Sequence, residues 1–142
     1  MSDSIERVLV VDDEPNMRKV LCALLERSGY QVLSAGDGRE AQKCLQEGGI
    51  DVVMTDIRMP RMDGLELLAW CGTEVPDLPV IVITAHGTID TAVQAMKDGA
   101  FDFVTKPFDS GQLIRTVRKA RDHSRAMRSL IHAGDDPAQI KI

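Results

Sequence analysis

The sequence predicts an α/β fold in which five strands alternate with five helices, a (βα)5 three-layer sandwich around a parallel sheet. Three observations predict it. Short runs are apolar at consecutive positions, as in strands covered on both faces. The stretches between them carry apolar residues at helical spacing. Each pair of runs is separated by about one helix, which is what right-handed crossovers between parallel strands need. The 142 residues suit one domain with a real core.

The elements follow in order. Val8-Leu9-Val10-Val11 is the first strand. Met17, Val20, Leu21, Leu24 and Leu25 then mark one face of a helix. Pro15 fits its first turn and Gly29 its C-terminal stop. Val32-Leu33 is a weaker second strand. Ala41, Cys44 and Leu45 give a second helix, closed near Gly48-Gly49. Val52-Val53-Met54 is the third strand, and Leu65, Leu67 and Leu68 begin a short third helix. Val80-Ile81-Val82-Ile83 is the fourth strand. Ile89, Val93 and Met96 give the fourth helix, with Thr88 as N-cap and Gly99 as C-terminal glycine. Phe101–Thr105 is a weaker fifth strand. Leu113, Val117 and Ala120 give a fifth helix after an Asp109 cap, with Gln112 three residues on. Gly134-Asp135-Asp136-Pro137 breaks that helix, and the residues beyond read as the start of a linker.

Composition narrows the function. Apolar residues make up 44% and charged residues 27%, ordinary for a soluble globular protein. The net charge of −5 opposes approach to a phosphate backbone, so direct contact with nucleic acid is not expected. Cys22, Cys44 and Cys71 are odd in number and lack CxxC spacing, so they read as small fillers in helices of a reduced, cytoplasmic protein. The N-terminus lacks the layout of a signal peptide, and the apolar runs are too short to span a membrane.

The chemistry lies at the strand ends. In open α/β sheets, ligands sit beyond the carboxyl ends of the strands. The first run ends in Asp12-Asp13, the third in Thr55-Asp56, the fourth in Thr84-Ala85 and the fifth in Thr105-Lys106. Each alone reads as a loop or cap residue. Together they bring three carboxylates, a hydroxyl and an ammonium to one edge. Two carboxylates about 4 Å apart repel by about 4 kcal/mol at an effective dielectric of 20. Lys106 offsets part of that, and a hard divalent ion such as Mg2+ suits the rest. No Cys or His cluster favours zinc. A carboxylate in such a setting can attack phosphorus and form an acyl phosphate, with Lys106 and Thr84 neutralising the phosphoryl oxygens.

VLVVDDEP, VVMTDIRMPRMDG, VIVITAHG and FDFVTKPFD, in this order and spacing, resemble the receiver domains of two-component response regulators. The resemblance covers about Ile5 to Asp122, most of the chain. DIRMPRMDG, TAHGTIDTAVQAMKDGAFDF and TKPFD look most like receivers of NtrC-type transcriptional activators. The resemblance implies a flavodoxin-like (CheY-like) fold with sheet order 2-1-3-4-5. It implies a receiver over 5–122 and a C-terminal helix extension or linker over 123–142. Asp56 would be the phosphoacceptor. Asp13, Asp56 and the backbone carbonyl of Arg58 would bind Mg2+, with Asp12 helping through water. Thr84 and Lys106 would contact the phosphoryl group, and Lys106-Pro107 would be cis. Phe103 would be the switch aromatic, where many members carry Tyr. Arg58 and His86 would flank the pocket and affect the dephosphorylation rate. A sensor histidine kinase would be the phosphodonor, the face of the fourth helix, fifth strand and fifth helix would carry the response, and an attached transcriptional output would follow in a longer protein.

Other readings compete. A Mg2+-dependent aspartyl-phosphate phosphatase of the haloacid-dehalogenase type needs a DxD pattern after the first strand, and Asp12-Asp13-Glu14 does not supply it. A flavin or nucleotide binder on the same fold would need a Gly-rich phosphate loop. A stand-alone, phosphorylation-independent dimerisation module would not need the full acid, Thr and Lys set. Met59, Met62, Met96 and Trp70 read as packing residues. Arg115, Arg118, Lys119, Arg121, Arg125 and Arg128 read as a solvated helix face. Leu113, Val117, Ala120, Ser124, Met127 and Ile131 follow an a/d spacing, which predicts a fifth helix that extends and pairs with its copy in a homodimer.

Overall fold

Strands lie where the chain is apolar at consecutive positions, and the computed structural model describes residues 6–59, 62–85 and 89–134. Strand β1 is Arg7–Val11, β2 Gln31–Ala35, β3 Val52–Asp56, β4 Val80–Ala85 and β5 Asp102–Lys106. Helices α1 (Pro15–Arg27), α2 (Gly38–Glu47), α3 (Gly64–Glu74), α4 (Ile89–Lys97) and α5 (Ser110–Gly134) alternate with them. The sheet is wholly parallel with order β2-β1-β3-β4-β5, as expected. His86, Thr88 and residues 135–142, for which sequence reading gave roles, lie outside the described residues, as does the burial of Ile131.

Alternation along the strands sorts the core into two layers. Val8, Val10, Val52, Met54, Ile81, Ile83 and Val104 pack with Leu21 and Leu25 of α1 and Leu113, Val117 and Ala120 of α5. Leu9, Val11, Val53, Val80 and Val82 pack on the other face with Ala41 and Leu45 of α2, Leu67 and Leu68 of α3 and Ala95 of α4. Trp70 and Met62 are partly buried against this second layer, and Met59 is buried in it. Parity therefore decides which way each strand-end side chain points.

Three expectations need correction. Val20 lies in the apolar stripe of α1 but is exposed. Helix α4 does not pack through Val93 and Met96, which are 45% and 42% exposed; among its described side chains Ala92 and Ala95 are the buried ones. Alanines let that helix sit close to the sheet, which turns its larger apolar side chains outward. The a/d stripe of α5 is mostly core: Leu113, Val117, Ala120 and Ser124 are buried within the chain's own fold.

The basic residues of α5 are also more than a solvated face. Arg125 holds the carboxylate of Glu6 with two bonds, of 2.6 and 3.0 Å. Arg128 reaches Asp51 at 2.7 Å and Glu6 at 3.5 Å. Asp51 in turn accepts from the backbone N–H of Arg7. These contacts fasten the second half of α5 to the edge of the sheet opposite the strand ends that carry Asp12 and Asp56. The Glu6 side chain is only 7% exposed, and the Arg125 contact holds its carboxyl below the usual carboxylate range.

A depressed folded-state pKa contributes stability above the unfolded value, lost as pH falls through the folded one. Glu6→Gln is therefore expected to lose about 1–2 kcal/mol at pH 7 in urea unfolding. The gap should begin to narrow as pH falls through the ordinary glutamate value, about 4.3, and close only once pH is below the lowered folded-state pKa.

Candidate functional site

Asp56 is the last residue of β3 and Asp12 follows the last residue of β1. Both continue the even-numbered parity that faces α1 and α5, and Lys106, ending β5, shares it. The three side chains meet. Lys106 Nζ lies 3.4 Å from Asp12 Oδ2 and 3.3 Å from Asp56 Oδ2. Asp13 completes an acidic group in which one ligand oxygen from each of Asp12, Asp13 and Asp56 lies within 4.8 Å of the others. Asp12 is fully buried, Asp56 is 8% exposed, and Asp13 is open to solvent.

Local sequence explains the placement. Asp63 and Glu66 form a reciprocal capping box that starts α3. Gly64 packs directly on the end of β3: a Cβ there would lie 2.8 Å from Ile57 Cα and closer still to the Asp56 carbonyl. Its N–H donates to Ile57 O at 2.7 Å. The DG pair after RMPRM thus ties α3 against the strand end that carries Asp56. The capping box was legible as D-x-x-E but was not read. Lys106-Pro107 is cis, as the resemblance implied.

Electrostatics make the site costly without further cations. Burial pushes the Asp56 carboxyl up from its ordinary value; Lys106 opposes this and the Asp12 charge adds to it. Burial disfavours the Lys106 ammonium, but Asp56 and Asp12 outweigh burial and raise its pKa. One ammonium thus contacts two of the three carboxylates of the cluster. All the donors are oxygens, two of them on buried groups, so the residues present fit a hard divalent cation.

Beside Asp56 lies a small pocket of about 80 Å³, lined by Asp56, Ile57, Arg58, Thr84, Ala85 and Thr91. A water takes about 30 Å³, so the space suits a group of a few heavy atoms and not a flavin or nucleotide. Thr84 is 2% exposed, and its hydroxyl has no hydrogen-bond partner among the described residues. A buried hydroxyl without a partner is uncommon and calls for an explanation. Arg58 is exposed at the rim. Thr91, from the first turn of α4, was not singled out by sequence reading. Phe103 does not join the pocket: it lies on β5 paired with Val82 and is 37% exposed. It shares a face with Thr105, the register partner of Thr84. Among the described residues no helix is long and apolar enough to cross a membrane.

Residues 8–118 match the family model described as the response regulator receiver domain. The C4-dicarboxylate transport transcriptional regulatory protein DctD of Pseudomonas aeruginosa is 43% identical over 118 residues, covering 83% of this chain and 26% of that protein. The response regulator protein PilR of the same organism is 43% identical over 117 residues, covering 82% and 26%. This chain therefore spans about a quarter of the length of these relatives. The solved response regulator receiver domain protein from Clostridium thermocellum superposes with a TM-score of 0.83 at 34% identity, covering 87% of this chain and 99% of that one. The receiver domain of NtrX from Brucella abortus gives 0.78 at 37% identity, covering 81% and 98%. The likeness to NtrC-type activators read from the motifs is borne out by these relatives.

A carboxyl whose folded-state pKa is raised costs stability once pH exceeds its unfolded value, and the cost is full above the folded pKa. In the presence of a chelator, Asp56→Asn is expected to melt higher than wild type at pH 7, by about 3 °C for a gain on the order of 1 kcal/mol. The advantage should vanish below about pH 4, where the unfolded carboxyl is also neutral. Equal melting at pH 7 would show that burial at Asp56 carries no such cost.

Proposed function

This chain belongs to the response regulator receiver domain family of two-component systems, and on that premise we propose that Asp56 accepts a phosphoryl group from the phosphohistidine of a sensor histidine kinase. The observation that carries the reading is the pairing of a buried carboxylate with a buried, unpartnered Thr84 hydroxyl across a pocket the size of a phosphoryl group. An Asp56 carboxylate oxygen attacks phosphorus in line. The O–P bond forms as the P–N bond to the kinase imidazole breaks, and the imidazole keeps the electron pair. Lys106 neutralises charge on the phosphoryl oxygens, and the Thr84 hydroxyl donates to one of them. Asp13, Asp56 and the Arg58 carbonyl would hold Mg2+, with Asp12 acting through water, and Mg2+ there supplies further neutralisation of the phosphoryl oxygens. The receiver so read catalyses its own phosphorylation and dephosphorylation and no reaction on another substrate.

The response follows from the same groups. Thr84 moves toward the phosphoryl group, Phe103 follows into the space it leaves, and the face of α4, β5 and α5 changes its preferred partner. Phe103 lacks the hydroxyl that Tyr would bring, so the change is read through packing alone. Taking the two states from 1:99 to 99:1 requires about 5.5 kcal/mol of differential stabilisation. The likeness to DctD, a transcriptional regulatory protein, supports an attached transcriptional output beyond the receiver (5–122) and its helical extension (123–142), and the cytoplasm is the compartment this reading implies. Because α5 uses most of its apolar stripe in its own core, a homodimer through the extension would rest on positions such as exposed Leu130.

With Mg2+ and acetyl phosphate, intact mass is expected to rise by one phosphoryl group in the wild type and not in Asp56→Asn. Incorporation retained in Asp56→Asn but lost in Asp12→Asn would favour the phosphatase instead. In sedimentation velocity, Leu130→Glu is expected to shift the dimer toward monomer; a wild type that stays monomeric at all concentrations would remove the dimer from the proposal.

A further inference from the structure

Asp12 is held at four points. Its N–H donates to Ala35 O at 3.1 Å, the last backbone bond on that side of β1. Its Oδ1 accepts from the Glu14 N–H at 2.9 Å, and its Oδ2 faces Lys106. Its backbone carbonyl accepts from Arg18 Nη1 at 2.6 Å. The first three are a ladder bond, a local turn and the site's own cation. The fourth comes from the side chain of another element, the second turn of α1.

Arg18 has a counterpart across the strand end. The ladder between β1 and β2 stops at Val11 and Ala35. Beyond it two backbone groups are left open, the Asp12 carbonyl and the Gly36 N–H. Arg18 takes the first, and the Glu40 carboxylate, from α2, takes the second. The two side chains close over Gly36, where a Cβ would lie 3.3 Å from Arg18 Nη1 and 3.4 Å from Glu40 Oε1. A Cβ at 36 would touch both side-chain tips, which would have to give by a few tenths of an ångström at most. Arg18 therefore fastens the acidic loop to α1, and Glu40 fastens the neighbouring turn after β2 to α2.

We infer that Arg18 is a positioning residue for the acidic cluster: by holding the Asp12 carbonyl it fixes the turn that presents Asp12 and Asp13, and so sets how tightly the cluster takes a divalent cation. The inference rests on reading this cluster as the cation site of the phosphoryl-accepting centre. Arg18 acts through the backbone and touches neither the cation nor the phosphoryl group.

Charge and position make opposite demands here. If Arg18 mattered only as a nearby cation, removing its charge would strengthen binding of a divalent ion to three carboxylates. If it matters by holding the loop, removal weakens binding. The test is calorimetric titration of Mg2+ into the full chain, with urea unfolding of each variant alongside. Arg18→Met keeps the aliphatic stem and is expected to weaken Mg2+ binding about tenfold. Arg18→Lys keeps one donor for the Asp12 carbonyl and should recover most of that loss. At saturating Mg2+, acetyl phosphate should label Arg18→Met at nearly the wild-type rate, with the defect confined to low Mg2+. An Arg18→Met constant within twofold of wild type, or tighter, overturns the inference, as does Arg18→Lys binding no better than Arg18→Met. Wild type that binds Mg2+ but takes no phosphoryl group sinks the phosphoacceptor reading and leaves the Arg18 comparison standing; wild type that binds no Mg2+ overturns both.

Discussion

Lys106 stands between the two buried carboxylates of the site, Asp12 and Asp56. Its ammonium lies 3.3 Å from Asp56 and 3.4 Å from Asp12, both longer than a typical N–H···O bond, so it serves both and saturates neither. Asp13 adds a third negative charge, and among the described residues Lys106 is the one side-chain cation in an ion pair with the cluster. The rest of the structure answers to that imbalance. The sheet order brings the ends of β1 and β3 side by side, the β5 parity turns Lys106 toward them, and Gly64 lets α3 close on the end of β3. A half-buried group of like charges with too few counterions keeps its folded form only if it is rigidly built, and here the Glu14 N–H holds Asp12 while Gly64 ties α3 to the end of β3.

Much of this was legible from residue order. Consecutive valines and isoleucines fixed β1, β3 and β4, because only a strand covered on both faces wants apolar residues at every position. Once the strands were placed, period-two alternation carried the site: positions 12, 56 and 106 continue the face toward α1 and α5, while 84 continues the opposite face, because on β4 the odd positions Ile81 and Ile83 point to α1 and α5. That is why Lys106 reaches both carboxylates, while Thr84 lines the pocket beside Asp56 and leaves the ion pairs alone. The edge strands β2 and β5 were weaker in sequence for the matching reason. Their burial is incomplete, so polar residues such as Gln31, Ser34 and Thr105 interrupt the apolar runs.

What sequence reading missed follows a different logic. It assigned Val93 and Met96 to the core because they are large and apolar, yet close packing of α4 selects Ala92 and Ala95. Helical spacing shows that a face is apolar without showing which residues on a broad face are covered. The same limit turned the α5 stripe into an expected dimer seam when most of it serves the chain's own core. Arg125 and Arg128 looked like a solvated face because their partners, Glu6 and Asp51, are far away in sequence. Arg18 escaped notice because its bond is to a carbonyl, which no side-chain pattern announces.

Helix α5 begins four residues after Lys106 and ends past Arg128, whose partners open the opposite edge of the sheet. Its 25 residues make a rod of about 37 Å at 1.5 Å per residue. It is pinned twice, by the core packing of Leu113, Val117 and Ala120 in its first half and by Glu6 and Asp51 in its second. A rod pinned twice cannot swing freely. Whatever continues from its far end takes its heading from the body of the domain, so a rotation of the domain is delivered there as a change of direction, enlarged by the length of the lever.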